Sequence, residues 1–433
     1  MEFNLKKLWD LNNLRSDIIL SLSLLTFLTF VAPLRKRTAK NWIILSLWTA
    51  YLNANLVVNY AAGIIFHSQS DTSVAVNNRD LQAFWATFLL VHLGGPDTIT
   101  ALALEDNEIG VRYLLVLITQ FMAAAYVFIR TFHISKLWMP TMLVFVAGMI
   151  KYYERTRSLY LASLGNLRES MRGCPDSGDE TADLPLYTEE IVVAEGITVM
   201  LKNATASRDG DLTELALMQH AYYFLNIIKV MIVDSFLSFT VPIYSRDFFL
   251  TRSAEDAFRM IELELNLIYE FLYTKVSVVH CKSGYTCKFV SFISVVVALA
   301  LFYSVNKQGF PRLDVGITYV LLLGAIALDL IAITMLVFSN WAIIALIMIP
   351  RAMSDDNSFY AKMLTFLLSI KKARRISYSA NRRPDRTLRL IRRFLYPAGW
   401  SESVSQFNLI NYCIQHVQNG CKNLSIFSVL PAF

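Results

Sequence analysis

Blocks of about twenty predominantly apolar residues recur along this chain, flanked by clusters of Lys and Arg, and no other feature constrains its fold as strongly. A helix rises about 1.5 Å per residue, so roughly 20 such residues cross a hydrocarbon core of about 30 Å with every backbone group bonded internally. Seven segments are read as spans. Ile18 to Leu34 ends at Pro33 and the cluster Arg35, Lys36, Arg37, Lys40. Trp42 to Phe66 carries Trp42 and Trp48 as interfacial anchors. Leu81 to Leu104 is interrupted by Gly94-Gly95-Pro96-Asp97. Tyr113 to Phe132, the shorter Leu137 to Tyr152, Phe289 to Val305 and Val315 to Phe338 complete the set, the last staying apolar to Ile349. Composition agrees: 55% of the 433 residues are hydrophobic and 17% charged, against about 25% charged in a soluble domain. The first block follows a mixed-charge segment (Lys6, Lys7, Asp10, Arg15, Asp17) and runs into Pro33 and Arg35, not a small-residue cleavage site, so it reads as a retained span.

The fold class predicted is all-α: a polytopic helical membrane protein with spans one to five in residues 1–150, a helical insert over 151–288, spans six and seven over 289–350, and a basic tail over 351–433. The insert opens with KYYERTRSLYLASLGNLRESM. Tyr153, Tyr160, Leu161, Leu164 and Leu167 gather on one helical stripe, leaving Glu154, Arg155 and Glu169 to solvent, although Arg157 and Arg168 interrupt it. GCPDSGDETADLP reads as a linker. Glu189 to Asn203 reads as a short helix, and a longer one starts at Leu212. A further helix starts at the cap Ser253, with Phe258, Ile261, Leu265, Ile268 and Leu272 at helical spacing. Ala221 to Val241 is long enough to span, but Lys229 and Asp234 sit at its centre. Each costs roughly 2.5–3.5 kcal/mol at a helix midpoint, so this segment is read as a buried core helix of the insert.

Short loops rich in Lys and Arg stay in the cytoplasm. Placing Arg35 to Lys40 inside puts the N-terminus outside, and seven spans then put both the insert (Lys151, Arg155, Arg157) and the tail inside. The loop with Arg130 and Lys136 falls outside under this scheme. The sequons at Asn203 and Asn423 fall inside, and are expected to carry no glycan.

Ionisable residues within spans face protein or water-filled cavities, which makes HLGGPDTIT the leading candidate site. Pro96 donates no backbone hydrogen bond, so carbonyls near Val91 to Leu93 are left without helical partners, and His92 and Asp97 sit at the same break. Such a broken helix can hold an ion or a polar solute. The alternative is a kink in which Asp97 caps a helix starting at Thr98. Asp329 lies deep in the seventh span. Asn55 and Asn59, one turn apart on the second, either line a pathway with it or bond helices together. Glu105, Asp106 and Glu108 form an acidic cluster suited to a cation or to ion pairs with Arg155 or Arg157, though a cage needs more oxygens. His280, Cys281 and Cys287 do not match zinc spacing, and the five cysteines are too scattered for a disulfide framework. In the tail, Lys371, Lys372, Arg374, Arg375, Arg382 and Arg383 are placed to contact anionic lipid at roughly 1 kcal/mol each, or to fix topology alone.

The segment WATFLLVHLGGPDTITALALEDNEIGVR, together with KYYERTRSLYLAS, AFRMIELELNLIYEFLYTKV and SQFNLINYC, resembles a plant family of multi-pass membrane proteins defined by a domain of unknown function. HLGGPDTIT and EDNE are its most specific pieces, and the four run in order from about Leu81 to Cys413. Members often continue into a second domain of unknown function, so a chain ending at Phe433 reads as a short or truncated member. The resemblance implies membrane residence and plant origin, and no reaction.

No nucleophile–base set, cofactor motif or metal motif is found, so an enzyme is not expected and no cofactor is predicted. A tail tethered to a bilayer fits nucleic acid poorly. Two function classes follow. One is a membrane-anchored scaffold or signalling component whose insert binds a cytoplasmic protein and whose tail binds lipid. The other is a transporter-like or channel-like protein using the intramembrane polar groups. The first is favoured, because those groups are few and no inverted repeat relates the two sets of spans.

Overall fold

A computed structural model describes residues 2–36, 40–70, 76–108, 136–171, 214–233, 240–347 and 359–379, with scattered positions between 115 and 129. Every regular element among them is a helix. Helix α1 (Glu2–Val31) runs into a 3-10 turn (Ala32–Lys36) where Pro33 removes a donor. There follow α2 (Asn41–Ser70), α3 (Val76–Leu93), the one-turn α4 (Glu105–Glu108), α5 (Trp138–Ala162) and α6 (Leu164–Met171). After the linker region come α7 (Glu214–Ile232), α8 (Thr240–Leu250), α9 (Ala254–Tyr273) and the short α10 (Val276–Val279). Helices α11 (Lys282–Ser304), α12 (Arg312–Val337), α13 (Asn340–Ile347) and α14 (Phe359–Ser379) complete the described chain.

Among the described residues, four helices are long and apolar enough to cross a membrane: Leu11–Lys36, Glu214–Ile232, Ser283–Ser304 and Arg312–Val337. The first and the last two cover the expected spans one, six and seven. Glu214–Ile232 was expected to be a soluble core helix. The helix runs from Glu214 to Ile232, with Lys229 in its last turn. The third expected span is not a continuous helix: α3 stops at Leu93, leaving a short apolar helix from Asp80. The second and fifth expected spans lie within α2 and α5, which fall outside those four. The fourth falls largely outside the described residues, as do the linker and Glu189 to Asn203.

Helix α5 is the hub, packed between α3 and α11, while α1 packs along α2 and also against α12. The joint core is aromatic and aliphatic: Phe84, Trp85 and Phe88 of α3 meet Phe302 of α11 and Leu321 and Leu322 of α12. Two amphipathic readings are corrected by this packing. On α5, Glu154 and Arg155 are buried at 1% and 6% exposure while Tyr153 and Tyr160 are exposed. The reading that left the charges to water assumed an aqueous domain, but here the helix continues straight out of the fifth apolar block with α3 and α11 against its charged face. On α9 the cap is as expected, with Ser253 Oγ accepting from Asp256 N at 3.2 Å. Its buried stripe is Met260, Leu267, Phe271 and Leu272 with Asn266 and Glu270; of the expected stripe Leu272 is buried, whereas Phe258 and Ile261 are exposed.

Candidate functional site

The break after Leu93 organises the site. Gly95 adopts φ +66°, a left-handed conformation that glycine tolerates without strain. A Cβ on Gly94 would lie 2.7 Å from Lys151 Cβ, so only glycine lets α3 end directly on α5. No helix begins at Thr98, and Asp97 is therefore not an N-cap. The segment from Gly94 to Leu104 is irregular, and its backbone bonds to other elements, as with Thr100 N donating to Tyr273 O at 2.8 Å.

The carbonyls freed by the break are taken by buried cations. Arg155 Nη1 donates to Leu93 O at 2.7 Å, and Lys275 Nζ donates to Gly95 O at 3.1 Å and to Lys151 O at 3.4 Å. The Asp97 carboxylate is held by two ammonium groups, Lys275 at 3.4 Å and, closer, Lys288. Lys288 also faces Glu154 at 3.5 Å. One helix layer away, Lys151 pairs with Asp329 at 2.5 Å. Lys36, from the turn after α1, pairs with Glu270 at 2.8 Å and donates to Asn266 at 2.7 Å. Each of these ions would be costly alone in a low-dielectric interior, and mutual pairing is what makes their burial tolerable. Burial lowers the Lys275 ammonium to about 8, with Asp97 acting in the opposite direction.

A cavity of about 110 Å³ opens among these groups. Lys36, Asp97, Lys151, Glu270, Lys275 and Asp329 line it together with Thr29, Thr274 and Ser339. Leu25, Val91, Leu328 and Met335 give it an apolar side. A second space of about 20 Å³, room for one water, lies beside His92, Asn55, Arg155 and Pro96. There His92 Nδ1 meets Ser21 Oγ at 2.8 Å and Asn55 accepts from Arg155 at 3.3 Å.

Of the residues expected at the site, Gly94, Gly95, Pro96, Asp97 and Asp329 converge on the larger cavity or its wall, and His92 and Asn55 on the smaller. Asn59 does not join them, being on an exposed face of α2. Sequence reasoning missed the cations Lys36, Lys151, Arg155, Lys275 and Lys288 and the acids Glu154 and Glu270. Lys36, Lys151, Glu154, Arg155 and Lys288 lay at span ends, where a long charged side chain usually reaches for water, and Glu270 and Lys275 lay in the expected insert. A signal was available: GGPD, KYYER and YEFLYTK, three of the pieces carrying the family resemblance, supply most of the site. The fourth, SQFNLINYC, lies outside the described residues.

The acidic cluster has other work. Asp106 Oδ2 accepts from Leu102 N and Ala103 N, and Glu108 Oε1 accepts from Leu164 N at the start of α6, so neither pairs with Arg155 or Arg157. His280 bonds Tyr285 through Nδ1 and Ser339 through Nε2, and burial lowers it to about 4. Among the described residues no group of three or more His, Cys, Asp or Glu is placed to hold a metal. Lys371, Lys372, Arg374 and Arg375 lie on α14, with side chains outside the described set, and Arg382 and Arg383 lie outside it altogether.

Neither the curated proteins nor the solved structures compared with the chain gave a match. A family model matches residues 48–413, a stretch that holds the broken helix and every ion of the buried cluster except Lys36, and the chain belongs to that family, described as a domain of unknown function (DUF4220).

Proposed function

We propose that this is a multi-pass membrane protein that binds and moves a small polar solute through its charged cavity, the transporter-like of the two readings. One observation carries it. Four carboxylates and five cations, Asp97 half-buried and the others buried, surround a broken helix, and six of these nine groups, paired as Lys36–Glu270, Lys151–Asp329 and Lys275–Asp97, line an open space. Polar groups that serve only to join helices pack against each other and leave no room. Buried ions around a hydrated volume are the usual arrangement of a solute pathway.

The scheme of seven spans with a cytoplasmic insert and tail and an outside N-terminus belongs to this reading. Contacts across the fold support it by sorting into two levels. Arg15 pairs with Asp314 at 2.6 Å, joining α1 just ahead of the first expected span to the first turn of α12, both on the outer side of the scheme. Lys36 meets Glu270, Glu108 caps α6 and Asn107 donates to Leu272 O, all on the inner side. Counting Glu214–Ile232 as a span instead would send the tail outside. The resemblance through HLGGPDTIT and EDNE adds a plant setting. The exposed Phe359 and Phe366 of α14 lead into its basic end, which supports contact with anionic lipid. A second reading, a scaffold or signalling component, draws on exposed Leu250, Phe258 and Ile261, apolar surface suited to a cytoplasmic partner.

Reconstitution into liposomes separates the two. Protein-dependent uptake of amino acids, inorganic phosphate or alkali cations is expected, and Asp97→Asn and Asp329→Asn each reduce it at least about tenfold, the loss of one charge-assisted contact. No uptake of any of them, with capture of a protein through residues 151–288, would transfer the reading to the scaffold.

A further inference from the structure

We propose that the cavity's solute is a small zwitterion, one ammonium and one carboxylate on a short aliphatic frame, such as a small neutral amino acid; this rests on the transport reading above. Charge is the first argument. The walls carry three cations, Lys36, Lys151 and Lys275, and three anions, Asp97, Glu270 and Asp329. Behind them Lys288 and Glu154 offset one another, and Arg155 turns to Leu93 O and Asn55 beside the smaller cavity. A lone cation or anion entering would unbalance the three cations and three anions of the wall in a poorly polarisable interior, whereas a zwitterion preserves that balance.

Hydrogen-bond supply is the second argument. Asp329 and Glu270 are each more than nine-tenths buried, and each has one carboxylate oxygen, Asp329 Oδ2 and Glu270 Oε2, that no group among the described residues satisfies. Those oxygens need a donor, and an ammonium brings three N–H groups. Lys275 presents the opposite need. Its ammonium reaches its acceptors only at 3.1 to 3.4 Å, longer than the roughly 2.7–2.9 Å of a good charge-assisted bond. Its three N–H groups are each spent on a long contact, and a carboxylate in the cavity offers one of them a shorter one. The cavity therefore asks for a donor at one part of its wall and an acceptor at another. Its volume of about 110 Å³ and its apolar side suit a short aliphatic chain.

Equilibrium binding to the full chain in nanodiscs tests this, with radiolabelled alanine as probe and its two halves, propionate and ethylammonium, as competitors. Alanine is expected to bind saturably, and each half to compete at least about tenfold more weakly, since each forgoes one charge-assisted contact. Asp329→Asn is expected to weaken alanine by a similar factor and to tighten propionate, because Lys151 loses its anion. The competition on the unaltered protein stands whether or not that variant folds. Propionate or ethylammonium binding as tightly as alanine would overturn the zwitterion while keeping the cavity as a solute site. So would uptake of another solute, lost in Asp97→Asn, with alanine inert. Absence of binding and uptake for every probe would overturn both readings.

Discussion

The same helices build two neighbouring layers of opposite chemistry. Toward the start of α3, Phe84 lies 5.2 Å edge-on to Phe88 and 5.8 Å stacked on Phe302, which in turn meets Tyr319 at 5.1 Å. The polar contact there, Trp85 Nε1 to Thr318 Oγ1 at 3.0 Å, is neutral and joins α3 to α12. Beyond Leu93, α3 is broken, and α5 and α12 present Lys151, Glu154 and Asp329, with Lys288 of α11 beside them. The aromatic layer fixes how α3, α11 and α12 sit together. Rigid support on one side lets the charged layer keep an open cavity on the other without collapsing into it.

Removing one charge is expected to have the largest effect. Lys288→Met leaves Asp97 with its more distant lysine alone and Glu154 without a cation, and costs about 3–5 kcal/mol, the range for breaking a buried ion pair. Trp85→Phe in the other layer drops a single neutral hydrogen bond and costs about 1 kcal/mol. Unfolding in mixed micelles compares the two. Adding Asp97→Asn and Glu154→Gln to Lys288→Met should recover more than half of the loss, because the unpaired charges are then gone. Equal costs for Lys288→Met and Trp85→Phe would mean that both layers act as packing.

How much of this was legible in the sequence follows from the same contrast. Apolar blocks announced helices long enough to cross a membrane, and GGPD announced the break, because proline and paired glycines act locally on the backbone. Asp329 was visible since one carboxylate among Leu and Ile has no local excuse. The lysines were not visible. Lys151 and Lys288 sit at the ends of apolar blocks, where a long side chain ordinarily reaches the headgroups, and only the docking of α9 and α10 over them makes their position interior. Glu154 and Arg155 were assigned to solvent for the same reason, since helical periodicity says which residues share a face and not what that face meets.

The seam between the layers gives the intermediate effect. Gly94→Ala places a methyl group 2.7 Å from Lys151 Cβ and 3.0 Å from its carbonyl carbon, so α3 and α5 must separate. A cost of about 1–3 kcal/mol is expected, as for other overpacked contacts. Solute binding should fall as well, because Lys151 moves with α5. Gly63→Ala on α2, where nothing lies within 4 Å, is the matched control and should be neutral or slightly stabilising. If both alanines behaved alike, the close approach at Gly94 would not be what positions the charged layer.

The smallest effect comes from a carboxylate that has neither a lysine nor a dry aromatic layer. Glu264 on α9 is partly buried, its Oε1 has no hydrogen-bond partner, and burial raises it from an ordinary 4.5 to about 7. Between those values the folded chain keeps a proton that the unfolded chain has released. The stability tied to that proton is full below about 4.5 and is lost as pH rises through about 7. Glu264→Gln removes the titration and keeps the shape. Relative to the parent, its thermal midpoint should be unchanged near about pH 4 and a few degrees higher near about pH 8. The carboxylates of the charged layer owe their burial to lysines, so the corresponding Asp329→Asn should lower the midpoint near about pH 8, the opposite sign. A matching sign at both positions would mean that Lys151 does not compensate Asp329, and that the charged layer is no better paired than an isolated buried acid.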